Sequence, residues 1–186
     1  MLRLKDMENN ILGIKEYILE DGKKVNLSKL EYHGRGEPRY AEARSLLVRA
    51  TNDIFIEYKG GILLVERDNL PCKRCLWAIG GGIERGVPIE KSLKRKVKEE
   101  CNLELENIRF LGISRQFWQT NSFGNGKGID DLSLVYFGRG SGNLKLDNLH
   151  KNPKIVTLSE YPLLRSTLHP WVRDFMDKAI YFVGKS

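Results

Sequence analysis

The residues best equipped for chemistry are Glu99 and Glu100, adjacent carboxylates that follow Arg95 and Lys96 and lie downstream of the glycine run Gly80-Gly81-Gly82. Ile89, Leu93 and Val97 recur every four residues after Pro88, which suits a first helical position because its missing N–H costs nothing there. A helix is therefore expected from about Pro88 to Cys101. On it Lys96, Glu99 and Glu100 stand at i, i+3 and i+4 and share a face beside the apolar stripe. A glycine-rich loop entering a helix N-terminus exposes backbone N–H groups to anions, and clustered carboxylates hold a hard divalent cation whose remaining positions take phosphate oxygens. Mg²⁺ or Mn²⁺ bridging a diphosphate is the ligand set this chemistry calls for. The plainer alternative pairs Glu99 and Glu100 with Arg95 and Lys96 on a solvated helix.

An α/β frame must position these groups. Helical composition marks Arg39 to Leu47, and strands are expected at Ala50 to Tyr58 and Ile62 to Glu66 around Gly60-Gly61. A short strand, Leu76 to Ile79, leads into the glycine run, and further strands follow near Ile108 to Trp118, Leu132 to Gly138 and Lys154 to Leu158. A last helix starting near Thr167 or Leu168 carries Leu168, Trp171, Val172, Phe175, Met176 and Ala179 on one face, which should cap the core. Gly124 to Gly128 and Gly138 to Gly142 read as mobile loops. Upstream, residues 11 to 19 and 24 to 30 flank the turn signal Glu-Asp-Gly-Lys, so residues 1–40 are expected to form an N-terminal hairpin extension that packs on the main domain or serves a homodimer. Residues 41–186 form the main domain.

The 186 residues, 41% of them hydrophobic, suffice for one domain with a proper core plus an extension. A net charge of +7 suits a phosphate-bearing ligand, but the basic residues are spread along the chain and form no stripe interleaved with aromatics, so a dedicated nucleic-acid binder ranks last. No apolar run approaches a membrane span and the N-terminus has no signal-peptide core, so no membrane association and a cytoplasmic location are expected. Three cysteines, an odd number, argue against a disulfide scaffold. Cys72 and Cys75 in Pro-Cys-Lys-Arg-Cys are read as incidental loop thiols, with metal or redox use as the alternative.

The stretch Gly80 to Leu103 resembles the Nudix box: a Gly, five residues, a Glu, seven residues, then Arg-Glu-aliphatic-x-Glu-Glu-x-Gly-aliphatic. In register stand Gly81, Arg95, Val97, Glu99, Glu100 and Leu103; Val87, Lys96 and Asn102 depart, replacing the first Glu, the Glu after Arg and the second Gly. The resemblance implies a Nudix-type α/β/α sandwich with a mixed sheet. Lys96 stands where most members of the family place a metal-binding carboxylate, and a cation there should repel a second or third metal ion.

One subgroup, the GDP-mannose mannosyl hydrolases, also lacks that Glu and directs water to the sugar C1. Leu63-Leu64, Arg67, Asn69, Pro71 and Trp77 resemble its signature run, Phe110 to Phe123 resembles its aromatic strand and loop, and His150 falls near its catalytic His. The resemblance implies that Gly81, Glu99 and Glu100 hold the metal and that Glu100, Arg95 and His150 are catalytic, His150 accepting a proton from water. It further implies that Arg67 pairs with phosphate or sugar oxygens, that Trp118 or Phe117 stacks on base or sugar, and that Asp53 and Asn121 bind sugar hydroxyls. Leu149 replaces an amide that helps hold metal in the subgroup, so Asn148 would have to substitute; Asp130 and Asp131 offer carboxylates instead, or serve a hairpin end. His33 lies in the extension and His169 at a helix start.

Three readings follow. The first is a divalent-metal-dependent hydrolase of a nucleoside diphosphate sugar that leaves the diphosphate intact. The second is an ordinary Nudix pyrophosphohydrolase, and the third a degenerate nucleotide-binding domain without turnover.

Overall fold

The computed structural model describes residues 39–123 and 128–185, together with residues 19, 20, 23, 24, 26 and 28. Strands β1 (Leu19–Glu20) and β2 (Lys23–Lys24) pair antiparallel, Leu19 opposite Lys24 and Glu20 opposite Lys23. The other residues of the expected extension, except 26, 28, 39 and 40, and Gly124 to Lys127 lie outside the described residues.

The main domain follows as α1 (Tyr40–Leu46), β3 (Arg49–Tyr58), β4 (Gly61–Arg67), β5 (Leu76–Trp77), β6 (Ile79–Gly82), α2 (Ile89–Cys101), β7 (Glu104–Trp118), β8 (Ile129–Ser141), β9 (His150–Thr157), α3 (Tyr161–Leu164) and α4 (Pro170–Ala179). Seven of these strands form one mixed sheet. Its path runs β5-β4-β3-β8-β7, with β6 also on β3 and β9 also on β4. Every pairing is antiparallel except the central one between β3 and β8.

Both faces of the sheet are covered, which is why its central strands read as nearly continuous apolar runs. Strand alternation divides them: Ile54, Ile56, Leu63, Leu134 and Tyr136 face α2, joined by Ile89, Leu93 and Val97. Phe55, Ile62, Leu64, Val135 and Phe137 face the opposite way, onto Trp171, Val172, Phe175 and Met176 of α4. At the heart of that second layer Trp77 stacks on Trp171, with centroids 4.6 Å apart and planes 9° from parallel. His169 caps α4, its Nδ1 accepting the Trp171 backbone N–H at 3.2 Å.

Four expectations need correcting. Gly138 and Gly140 belong to β8 rather than a loop, because they make room: a Cβ at Gly138 would lie 2.7 Å from Leu105 Cδ1, and one at Gly140 2.6 Å from Ile56 Cγ2. β7 and β8 are longer than their apolar patterns, since backbone pairing continues through exposed polar ends. Cys72 and Cys75 are bridged by a disulfide, whereas Cys101 is free and buried. An odd cysteine count excludes a fully bridged framework but permits one local pair. Pro88 sits at the N-cap of α2, one residue before the helix proper.

Candidate active site

One cavity of about 970 Å³ opens at the end of the sheet where β3 and β8 begin. Its wall takes residues from β3, the loop after β4, β6, α2, the end of β7, the start of β8, the start of β9, and α1. Of the expected site residues, Asp53, Arg67, Gly81, Arg95, Glu99, Glu100, Trp118 and His150 all line it. Asn121 and Phe117 do not. Asn121 is buried, its Oδ1 accepting the Phe123 backbone N–H at 2.7 Å in an Asx turn, and Phe117 is 70% exposed on β7.

The loop that carries the glycines is pressed against β3. Asn52 is opposite Gly81 and Asp53 opposite Gly80, and a Cβ on Gly80 would stand 2.4 Å from Asp53 Oδ1 and 2.6 Å from the Asn52 carbonyl. Only glycine allows that approach. From there the chain turns into α2, whose helical period sorts the expected polar face into two rows. Ser92, Lys96 and Glu100 form an inward, buried row; Arg95 and Glu99 stand further out.

Lys96 is fully buried. Its ammonium donates to the Gly82 carbonyl at 2.6 Å, to Ser92 Oγ at 3.2 Å and to Glu84 Oε2 at 3.2 Å. A buried charge is tolerated when paired and hydrogen-bonded in this way. Glu84, which the sequence reading missed, is the hub. It accepts from Ser92 Oγ at 2.5 Å and pairs with Arg95 at 2.9 Å through its other oxygen. Burial pushes the Glu84 carboxyl up, but the Ser92 hydroxyl, the Lys96 charge and Arg95 together bring it down to about 2.

Each departure from the box thus has a physical counterpart. Val87 is buried where the pattern has its first Glu, while Glu84 pairs with Arg95. Asn102 occupies the left-handed C-cap of α2 at φ 56°, a conformation Asn shares with Gly, and its N–H bonds the Lys98 carbonyl.

His150 opens β9 directly opposite Arg67 of β4. The ring is buried, and its Nδ1 lies 2.8 Å from Asp147 Oδ1. With the Asp147 carboxylate as acceptor, the ring donates from Nδ1 and keeps Nε2 for another partner. Asp147, also missed from sequence, accepts the Leu149 N–H at 3.0 Å as well, and its own N–H bonds the Glu100 carbonyl, tying the His150 loop to α2. Arg67 donates from Nε to the Pro71 carbonyl at 2.9 Å, and its guanidinium carbon is 5.9 Å from the Trp77 ring centre. Burial disfavours the Arg67 charge; Asp53 and Glu100 support it. Asp53 accepts a short hydrogen bond from Ser133 Oγ, and burial pushes its carboxyl up to about 6. Trp118 packs edge-on against Trp77 at 5.8 Å, so it belongs to both the aromatic layer and the cavity wall.

The wall formed by α1 was not foreseen as part of the site. It brings Tyr40 and Arg44 to the cavity, alongside Arg49, which makes a two-pronged ion pair to Asp131 at 2.9 and 2.7 Å. Asp131 is thereby committed to Arg49, and Asp130 similarly to Arg115. Among the described residues no group of three or more His, Cys, Asp or Glu side chains converges as a metal cluster. Gly81, Glu99 and Glu100 line the same cavity, and two adjacent carboxylates are the donor type suited to a hard cation that completes its shell with water and phosphate. Among the described residues no helix is long and apolar enough to cross a membrane.

Residues 47–179 match the family model of the NUDIX domain. Over 129 residues the chain is 26% identical to the low-salt glycan biosynthesis protein Agl8 of Haloferax volcanii, covering 67% of this chain and 78% of that protein. Over 61 residues it is 38% identical to the ADP-ribose pyrophosphatase of Methanocaldococcus jannaschii, covering 33% of this chain and 36% of that enzyme. The crystal structure of a MutT NUDIX hydrolase from Burkholderia pseudomallei superposes with a TM-score of 0.56 at 22% identity, covering 70% of this chain and 97% of that one. A mixed sheet between helices, a glycine loop on β3 and paired carboxylates on α2 agree with that match, and the chain belongs to the NUDIX family.

Proposed function

We propose that the protein is a divalent-metal-dependent hydrolase of a nucleoside diphosphate sugar, in which water attacks the sugar C1 and the nucleoside diphosphate departs. The observation that carries this reading is His150, buried on the wall of the same cavity as Glu100 and Arg67, with its Nδ1 2.8 Å from the partly exposed Asp147. Phosphorus attack in the ordinary box pattern relies on a carboxylate where this chain has Lys96, whose ammonium is engaged with Gly82 and Glu84. A base on another element is therefore required, and His150 of β9 supplies one.

In the reaction the water proton passes to His150 Nε2 as the water oxygen bonds to C1. The C1–O bond breaks and its electron pair leaves with the diphosphate. Asp147 holds the ring orientation and stabilises the imidazolium that forms. Arg67 binds diphosphate oxygens, and Arg95, paired with Glu84 at 2.9 Å, adds a positive charge to the same wall. Glu100, Glu99 and the Gly81 carbonyl would hold Mg²⁺ or Mn²⁺, which supplies neutralisation of the charge collecting on the leaving diphosphate. Trp118 offers a face to the base or sugar, and Asp53 a hydroxyl acceptor. The relative named for glycan biosynthesis is consistent with a sugar-nucleotide ligand.

The second reading, cleavage of the diphosphate itself, is favoured by the relative named an ADP-ribose pyrophosphatase. Phosphorus NMR of products from a panel of nucleoside diphosphate sugars with Mg²⁺ separates the two. A nucleoside diphosphate supports attack at carbon, and two phosphomonoesters overturn it in favour of the second reading. Ligand-induced thermal stabilisation without turnover would identify a binding domain instead.

A further inference from the structure

Arg44 projects from α1 into the cavity, outside the box and outside every residue assigned above to the reaction. Its side chain is 12% exposed. Its contact with Asp131 Oδ2 is 3.9 Å, too long for a hydrogen bond, and that carboxylate is already occupied by both prongs of Arg49. Arg44 Nε is buried and has no hydrogen-bond partner among the described residues. Two guanidinium groups thus share one carboxylate on this wall of the cavity. Burial, with Arg49 beside it, disfavours the Arg44 charge.

The guanidinium also has an aromatic neighbour. Its carbon lies 5.2 Å from the centre of the Phe123 ring, and Tyr40 meets that ring edge-on at 5.9 Å. A ring against the guanidinium face leaves its in-plane N–H groups for a planar or tetrahedral anion. Arg49 reaches the glycine loop, where a Cβ at Gly82 would lie 3.5 Å from its Nη1, and Arg44 meets the Asp131 oxygen that Arg49 already holds, at 3.9 Å. A ligand whose diphosphate rests on the loop would therefore meet Arg44 through a part beyond the diphosphate.

We infer that Arg44, propped by the Arg49–Asp131 pair and Phe123, forms an anion subsite that selects ligands bearing an acidic group beyond the diphosphate. The group is a carboxylate or a phosphate monoester: either offers two or more oxygens to the guanidinium fork. A carboxylate would belong to an acidic sugar, a phosphate to the nucleoside ribose. This rests on the nucleoside diphosphate reading above and adds to it the charge of the substrate's distal end.

The test is calorimetric binding of two matched ligand pairs to the full chain with Mg²⁺, under conditions too brief for turnover: UDP-glucuronate against UDP-glucose, and 2′-phospho-ADP-ribose against ADP-ribose. In one pair the acidic member should bind about tenfold tighter to the wild-type protein, the gain expected of one charge-assisted contact, and R44Q should bring the two members to near equality. Preference in the first pair assigns the anion to the sugar, in the second to the ribose. R44K, which keeps the charge but loses the fork, should retain part of the preference, and thermal unfolding of both variants checks that they fold. Equal binding within both pairs, or a preference that survives R44Q, overturns the subsite while leaving the diphosphate reading standing. Failure of all four ligands to bind overturns both.

Discussion

Lys96 and Glu84 face each other at 3.2 Å across the turn between the glycine loop and α2, and that pair, with the Gly82 carbonyl, fixes the loop to the helix. K96M leaves Glu84 without its buried cation, and breaking such a pair costs about 3 kcal/mol or more. Thermal or urea unfolding should show that loss, and the double variant E84Q/K96M should recover part of it. Equal stability of K96M and wild type would mean that the pair does not hold the loop.

The same carboxylate sets an acid limit. The Glu84 carboxyl in the folded protein lies at about 2, below its ordinary value of 4.5. Its contribution is present above about pH 4.5 and is lost as pH falls toward 2, because the unfolded chain takes up its proton first. Urea midpoints measured between pH 6 and pH 2.5 should fall for wild type. In E84Q the fall should be shallower and should begin from a lower plateau.

Asp53 works in the opposite sense. Its carboxyl is raised from 3.8 to about 6, so ionising it costs stability, a cost absent below pH 3.8 and complete once pH passes 6. D53N should therefore gain stability over wild type at pH 7 to 8, with the gain shrinking as pH falls from 6 to 4. If the difference in melting temperature is flat across that range, the raised carboxyl is refuted.

His150 carries the proposed proton transfer. H150A should lower kcat by about 100-fold or more, the usual range for a lost general base, while ligand affinity changes little. D147N should cost less, since it disturbs the ring's orientation but leaves the ring. Mg²⁺ should raise the melting temperature of the wild-type protein and leave that of E100Q unchanged, a readout independent of turnover. A full rate in H150A would transfer the base to another group.

The disulfide borders the site. Cys72 lines the cavity next to Pro71, whose carbonyl holds Arg67, and Cys72 and Arg74 adopt positive φ values of 57° and 69° within the bridged turn. Opening the bridge with a dithiol, or by C72S/C75S, should release that turn and raise the ligand Kd by about threefold to tenfold, since a looser Arg67 must be ordered on binding. The melting temperature should move little, because so short a loop constrains the unfolded chain weakly.

Periodicity made the layers and the box helix legible. Ile89, Leu93 and Val97 announced the buried face of α2, and the last helix showed its apolar stripe in the same way. Arg95, Glu99 and Glu100 were visible because they fall in register with a spaced pattern. Glu84 and Asp147 were not: each acts through a partner, Arg95 or His150, that is brought to it by a turn whose path no local spacing reveals. A Glu three residues before an expected one was the only available signal for Glu84. The α1 wall was hidden for a different reason. None of its residues is buried, so an expected helix gave no hint of which face met the cavity. Lys96 was read as an intruder on a metal face, because a helical wheel cannot show that a long side chain turns inward to a loop carbonyl.

The parallel seam between β3 and β8 brings together residues far apart in the chain, as Arg49 and Asp131 illustrate at a separation of 82 positions. Contacts of that span close late when a chain organises itself. The rim of the cavity therefore cannot be assembled by any fragment ending before β8, and a nascent chain would acquire its ligand-holding capacity only after most of the polypeptide had been made.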